Sequence, residues 1–185
     1  MHALNSKKLI FVSICAAVCL LVYPVKPVMA AVNPDLLNQL KTFESLLKNA
    51  SADSAQMDTL IQKKIQLFPE DAPFIAAFAA CCVPGMAADI AGFAVGMTPD
   101  LSIEIAFAVT YAAPGSAEKI KTKCADISLE NAAEISIAVE VAAEKSKSAD
   151  LSNKTNKEIA LAAVAAAEAF VEDLTVSAPT KVYGL

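Results

Sequence analysis

The sequence predicts an all-α fold of about eight short helices, and three observations predict it. Proline falls at 69, 84, 99 and 114, fifteen residues apart each time, with Leu129 on the next beat. Isoleucine follows each beat by six residues, at Ile75, Ile90, Ile105, Ile120 and Ile135. Inside a unit, apolar or small residues hold the fourth, seventh, eighth and eleventh positions, as in Ser102, Ile105, Ala106 and Val109. A fixed period of this kind marks a repeat architecture. Fifteen residues suit about three turns of helix and a short link. The spacing makes one helical face, whereas a strand would need strict alternation. Proline is tolerated at the first helical position and ends the helix before it. Short links turn successive helices back on each other, giving an αα-solenoid-like array or a compact bundle.

Residues 1–30 read as a secretory signal. Lys7 and Lys8 precede an uncharged apolar run from Leu9 to Tyr23, and Val28-Met29-Ala30 is a small-residue cleavage pattern. The run is short for a bilayer, which needs about 20 residues, so cleavage near Ala30 and export to a periplasmic or extracellular compartment are expected. The mature chain from residue 31 is long enough for one domain with a core. It divides into a helical repeat domain over 31–174 and a loose tail over 175–185.

In that domain, Asn33-Pro34-Asp35 supplies a cap, a first-position proline and an acid near the positive helix end. Leu36, Leu37, Leu40, Phe43, Leu46 and Leu47 follow at helical spacing. After a break at 49–53, Ser54 is expected to cap a second helix, with Leu60 in phase with Ile75. The proline units come next, and between Ala72 and Gly115 the only charges are Asp89, Asp100 and Glu104. The fourth unit turns charged, with Glu118, Lys119, Lys121 and Lys123. The fifth is expected to be helical from Leu129 to about Glu144, followed by a polar link over 145–152. The last helix is expected over Lys154–Leu174.

Composition excludes several functions. The mature chain sets twelve lysines against twenty acids, a formal charge of −8, and has no arginine and no histidine. Such a surface is poorly suited to neutralising phosphates, which argues against nucleic acid and against simple attraction to anionic lipid. Without histidine, Ser-His or Cys-His activation is absent, and the five scattered glycines form no phosphate loop. No catalytic residue, cofactor or metal site is expected, and the chain is not expected to be an enzyme. Asp126, Glu130 and Glu134 lie four residues apart, but a mid-helix acidic stripe lacks the flexible oxygen-rich loop calcium prefers.

Cys81, Cys82 and Cys124 are the candidate disulfide or free thiols. If units alternate up and down, Cys124 sits across the layer from the other two. A Cα separation above about 7 Å cannot be bridged without backbone movement. Phe74, Phe78, Phe93 and Phe107 are the candidate interaction face, although helical spacing suits them equally to a core. The expected function is an exported, non-enzymatic repeat protein that binds or scaffolds a protein partner. The alternative is a membrane-active or envelope-associated protein that inserts or oligomerises through 72–113, where Ala88, Gly92 and Gly96 form a small-residue row.

Overall fold

The residue before each beat sets the geometry of the repeat. In the computed structural model, which describes residues 32–177, Phe68, Val83, Thr98 and Ala113 hold φ between −139° and −135° and ψ between 65° and 71°. The following proline ring clashes with an α conformation there and pushes it away. Each of these residues still donates its amide to the carbonyl four back, at 2.9–3.0 Å, and accepts from the amide three ahead, at 3.0–3.1 Å. Each proline therefore opens a 3-10 turn, and the α-helix begins three residues later. Ser128 repeats the arrangement at φ −111° and ψ 75° although Leu129 replaces proline.

Nine α-helices occupy the described residues. The first expected helix divides at Gln39 into α1 (Pro34–Asn38) and α2 (Leu40–Asn49), and Lys64 donates to the Gln39 side chain from the next helix. α3 spans Ser54–Leu67, with Asp53 rather than Ser54 as its cap, since the Asp53 carboxylate accepts from the Gln56 amide at 3.1 Å. The four proline units give α4 (Ala72–Cys82), α5 (Ala87–Met97), α6 (Ser102–Ala112) and α7 (Ala117–Ile127), each of eleven residues.

α8 (Ala132–Ser148) runs a turn past its expected end, because its last turn reaches α6: buried Ser146 donates to the Tyr111 carbonyl at 2.8 Å. α9 (Asn156–Ser177) opens on a capping box in which the Thr155 amide donates to Glu158 Oε2 at 2.8 Å and the Glu158 amide donates to Thr155 Oγ1 at 3.3 Å. It takes in Thr175–Ser177, which the sequence assigns to a tail. The expected signal over 1–30 and the rest of that tail, 178–185, lie outside the described residues.

Successive units alternate between two layers. Helices α2, α4, α6 and α8 neighbour one another in one layer, and α3, α5 and α7 in the other. The five isoleucines of the beat are at most 1% exposed and lie between them. α3 keeps the phase of the repeat: its buried line, Met57, Ile61 and Ile65, lies fifteen residues before buried Ala72, Ala76 and Ala80, while Leu60, the counterpart of Ile75, is only partly covered. α9 then crosses α4 and α6. With neighbours on both sides, a facing layer and α9 on top, α4 is buried continuously from Ala72 to Ala80, and α6 from Ile105 to Tyr111. The apolar segment 72–113 thus receives its cover from the chain itself. Among the described residues no helix is long and apolar enough to cross a membrane.

Candidate functional site

α9 covers one face of the pair of layers, and the face of α3, α5 and α7 carries a trough of about 650 Å³. Its floor is α5, through Asp89, Gly92, Phe93, Gly96 and Met97. One wall is α3, presenting Ser54, Asp58 and Gln62 at four-residue spacing, and the other is α7, presenting Lys123 and Ile127. A 3.6-residue helical turn stacks such positions on one face, so the walls follow from sequence spacing once the layers are set.

The two floor glycines do different work. A Cβ on Gly92 would lie 2.5 Å from Lys123 Cγ and 3.1 Å from Ile127 Cδ1, so glycine is what lets α7 lay its side chains across α5. A Cβ on Gly96 would meet nothing nearer than Ile127 Cγ2 at 4.0 Å, and Gly96 is exposed. The small-residue row is thus half packing contact and half open floor.

Charge is concentrated towards the start of α5. Lys123 Nζ lies 3.2 Å from Asp89 Oδ1. Partial burial pushes the Asp58 carboxyl above the ordinary aspartate range; the Asp89 charge adds to this, and Lys123 opposes it. Towards the end of α5, Phe93, Met97 and Ile127 make the lining apolar.

The three cysteines are not brought together. Cys81 and Cys82 end α4 in one layer, Cys124 is fully buried on α7 in the other, and all three are free thiols. Burial pushes Cys81 and Cys124 up to about 12 and Cys82 to about 11. A thiol reacts as its thiolate, so at neutral pH these are packing groups. The Asn156 amide lies 3.5 Å from Cys82 Sγ and 3.2 Å from Glu44 Oε1, which ties the start of α9 to α2 and α4.

The four phenylalanines do not form a face. Phe74, Phe78 and Phe107 are at most 2% exposed. Phe78 stacks with both Phe74 and Phe43 at 6.1 Å, and Phe107 meets Phe170 of α9 at 5.2 Å. Helix α9 and neighbour α2 supply the cover that makes them core. Phe93 alone of the four borders the trough. Among the described residues no group of three His, Cys, Asp or Glu side chains is placed to hold a metal ion; Glu130 lies in the 3-10 turn Leu129–Asn131, so the acidic stripe is not one continuous helix.

Sequence reasoning missed Asp58 and the pairing of Asp89 with Lys123. The available signal was Asp89 as a charge within an apolar stretch and lysine in the fourth unit, thirty-four residues on. Two units of fifteen return the chain to the same layer, which brings the two helices side by side. No family model, curated protein or solved structure matches the chain.

Proposed function

We propose that this is an exported, non-enzymatic helical-repeat protein whose trough on α3, α5 and α7 binds a protein partner. The observation that carries the reading is the trough itself: a channel running along α5, floored by exposed Gly96 and edged by Phe93, Met97 and Ile127. Short helices stacked in register give a rigid surface, and rigid scaffolds suit partner docking because little order is lost on binding. The thiols, protonated by burial, and the lack of histidine in the mature chain support a non-catalytic role. Export rests on the leader pattern of residues 1–30.

Site-specific photo-cross-linking in the exporting cell tests the proposal. A photoreactive residue at Met97 is expected to give a discrete adduct that the same residue at exposed Glu172 of α9 does not give. Gly96→Leu, which fills the floor, is expected to abolish it. Equal adducts at both positions, or an adduct that survives Gly96→Leu, overturns the reading.

A further inference from the structure

Helix α9 lies on the layers along a seam of small side chains. Its buried residues, Ala160, Ala163, Ala167 and Phe170, form one stripe at helical spacing. An alanine offers a single methyl, so the one large group in the stripe is Phe170, whose ring lies 5.2 Å from that of Phe107 on α6. Leu161, Val164, Val171 and Leu174 are only partly buried beside it. Specific ties are few. Among the described residues, the hydrogen bonds that join α9 to the layers are the two from the Asn156 amide, to Glu44 Oε1 at 3.2 Å and Cys82 Sγ at 3.5 Å. Closing the seam also draws Glu104 of α6 and Glu168 of α9 partly out of water, and among the described residues neither carboxylate has an ion pair. By contrast, α7 is pinned by Lys123 on Asp89 and by Lys121 on Glu140, and α8 by buried Ser146.

What α9 needs to be a helix, it carries itself. The Thr155 amide and hydroxyl both donate to Glu158 Oε2 at 2.8 Å, a cap that owes nothing to the layers. Seven of its twenty-two residues are alanine, and its length exceeds the about 12–15 residues below which isolated helices are marginal. The link that leads into it, 149–155, exposes Asp150, Ser152, Asn153, Lys154 and Thr155, a polar segment able to swing without baring apolar surface. Beneath α9 lie α4 and α6, the most continuously buried helices, with Phe74, Phe78 and Phe107.

We propose that α9 is a releasable strap: it lifts off as a finished helix about the 149–155 link, separately from the two layers, and uncovers the apolar face of α4 and α6. The strap lies on the face opposite the trough and does not depend on the protein-binding reading of it. Segments that open more readily than the whole are the ones conformational regulation draws on. A signal that favours the open form has to offset the seam alone, while the isoleucine rows between the layers stay closed.

Hydrogen exchange of the full chain at neutral pH tests this. Amides over 160–170 are expected to show protection at least about tenfold lower than those of α4 over 74–80 and α6 over 105–111. Ala163→Glu places a carboxylate in the seam, and Ala169→Glu places one on the exposed side of the same helix. The first is expected to raise the fluorescence of an apolar-surface dye, anilinonaphthalene sulfonate, at least about threefold while far-UV helicity and a cooperative urea transition persist. The second is expected to leave dye binding at the wild-type level. Protection of α9 equal to that of α4 and α6 in the wild type overturns the strap, whatever the variants do. So does loss of helicity throughout the chain in Ala163→Glu, or a dye signal no higher there than in Ala169→Glu.

Discussion

Replacing isoleucine by alanine along the beat should cost unequal amounts of stability, and the inequality tests the layered packing. Ile105 and Ile120 are each 0% exposed and share one place in the repeat. Their surroundings differ. Ile105 lies in α6, which packs against α4, α8 and α9 as well as α5 and α7, and every residue from Ile105 to Tyr111 is buried. Ile120 lies in α7, where Ile120 and Cys124 are the buried residues and Lys119, Thr122 and Lys123 are exposed. Burying an isoleucine contributes about 1.5–3 kcal/mol through transfer alone, and truncation to alanine costs about 2–5 kcal/mol depending on how far the site collapses. Around Ile105 the walls are held on all sides, so about 4 kcal/mol is expected; around Ile120 the long side chains of α7 can fold inward, so about 2 kcal/mol is expected. With a urea slope of about 2 kcal/mol/M, the midpoints drop by about 2 M and about 1 M. Circular dichroism at the helical minimum reads both. Equal shifts at the two sites, or a larger one at Ile120, refute the claim that α9 and the central layer make α6 the rigid core.

Further outcomes follow from single positions. Leu129→Pro is expected to stabilise by about 0.4–1 kcal/mol, because Ser128 already holds the extended conformation found before the four prolines and Leu129 is 78% exposed; a lower urea midpoint would show that this link differs from the others. The two floor glycines should respond with opposite signs: Gly96→Ala gains about 0.5–1 kcal/mol of helix propensity, while Gly92→Ala loses stability as its Cβ displaces Lys123 from Asp89, and parallel melts compare them directly. Burial raises the Glu104 carboxyl on α6 and the Glu168 carboxyl on α9, and the Glu168 charge raises Glu104 further. The folded state therefore holds protons that the unfolded chain releases, so this pair makes stability fall as pH rises from about 4.3, the ordinary glutamate value, to above the raised ones. Glu104→Gln should remove part of that slope and raise stability at neutral pH; an unchanged pH profile would show that burial does not raise the Glu104 carboxyl.

Much of the fold was legible because its signals are local. Pro69, Pro84, Pro99 and Pro114 act through their own rings on the residue before them, so helix boundaries could be read from spacing alone. The exceptions are instructive. The end of α8 was read a turn short because Ser146 is a poor helix signal on its own, and the bond to Tyr111 that holds it is thirty-five residues away in sequence. Counting back fifteen residues from Ile75 gives the right phase for Leu60, but α3 has a neighbour in its own layer on one side only among the described residues, so Leu60 is only partly covered.

The candidate site was less legible, since its parts belong to three helices. Gly92 and Gly96 could be seen as a small-residue row, yet nothing in the row says that α7 covers one and leaves the other open. Asp58 carried no signal at all until α3 lay beside α5. The buried phenylalanines show the same limit from the other side: Phe74, Phe78 and Phe107 share a spacing that fits a face or a core, and only the position of α9 decides between them.

The sequence by itself determined that the chain is helical, where most helices begin and end, and which isoleucine each buries, because backbone sterics and helical periodicity act within a few residues. Only the tertiary structure decided that units alternate between layers, that α9 closes over α4 and α6, and that Asp58, Asp89 and Lys123 meet at one end of a trough. Those outcomes depend on which apolar faces find each other across thirty residues or more, and an alanine-rich face fits several neighbours until the larger side chains choose among them.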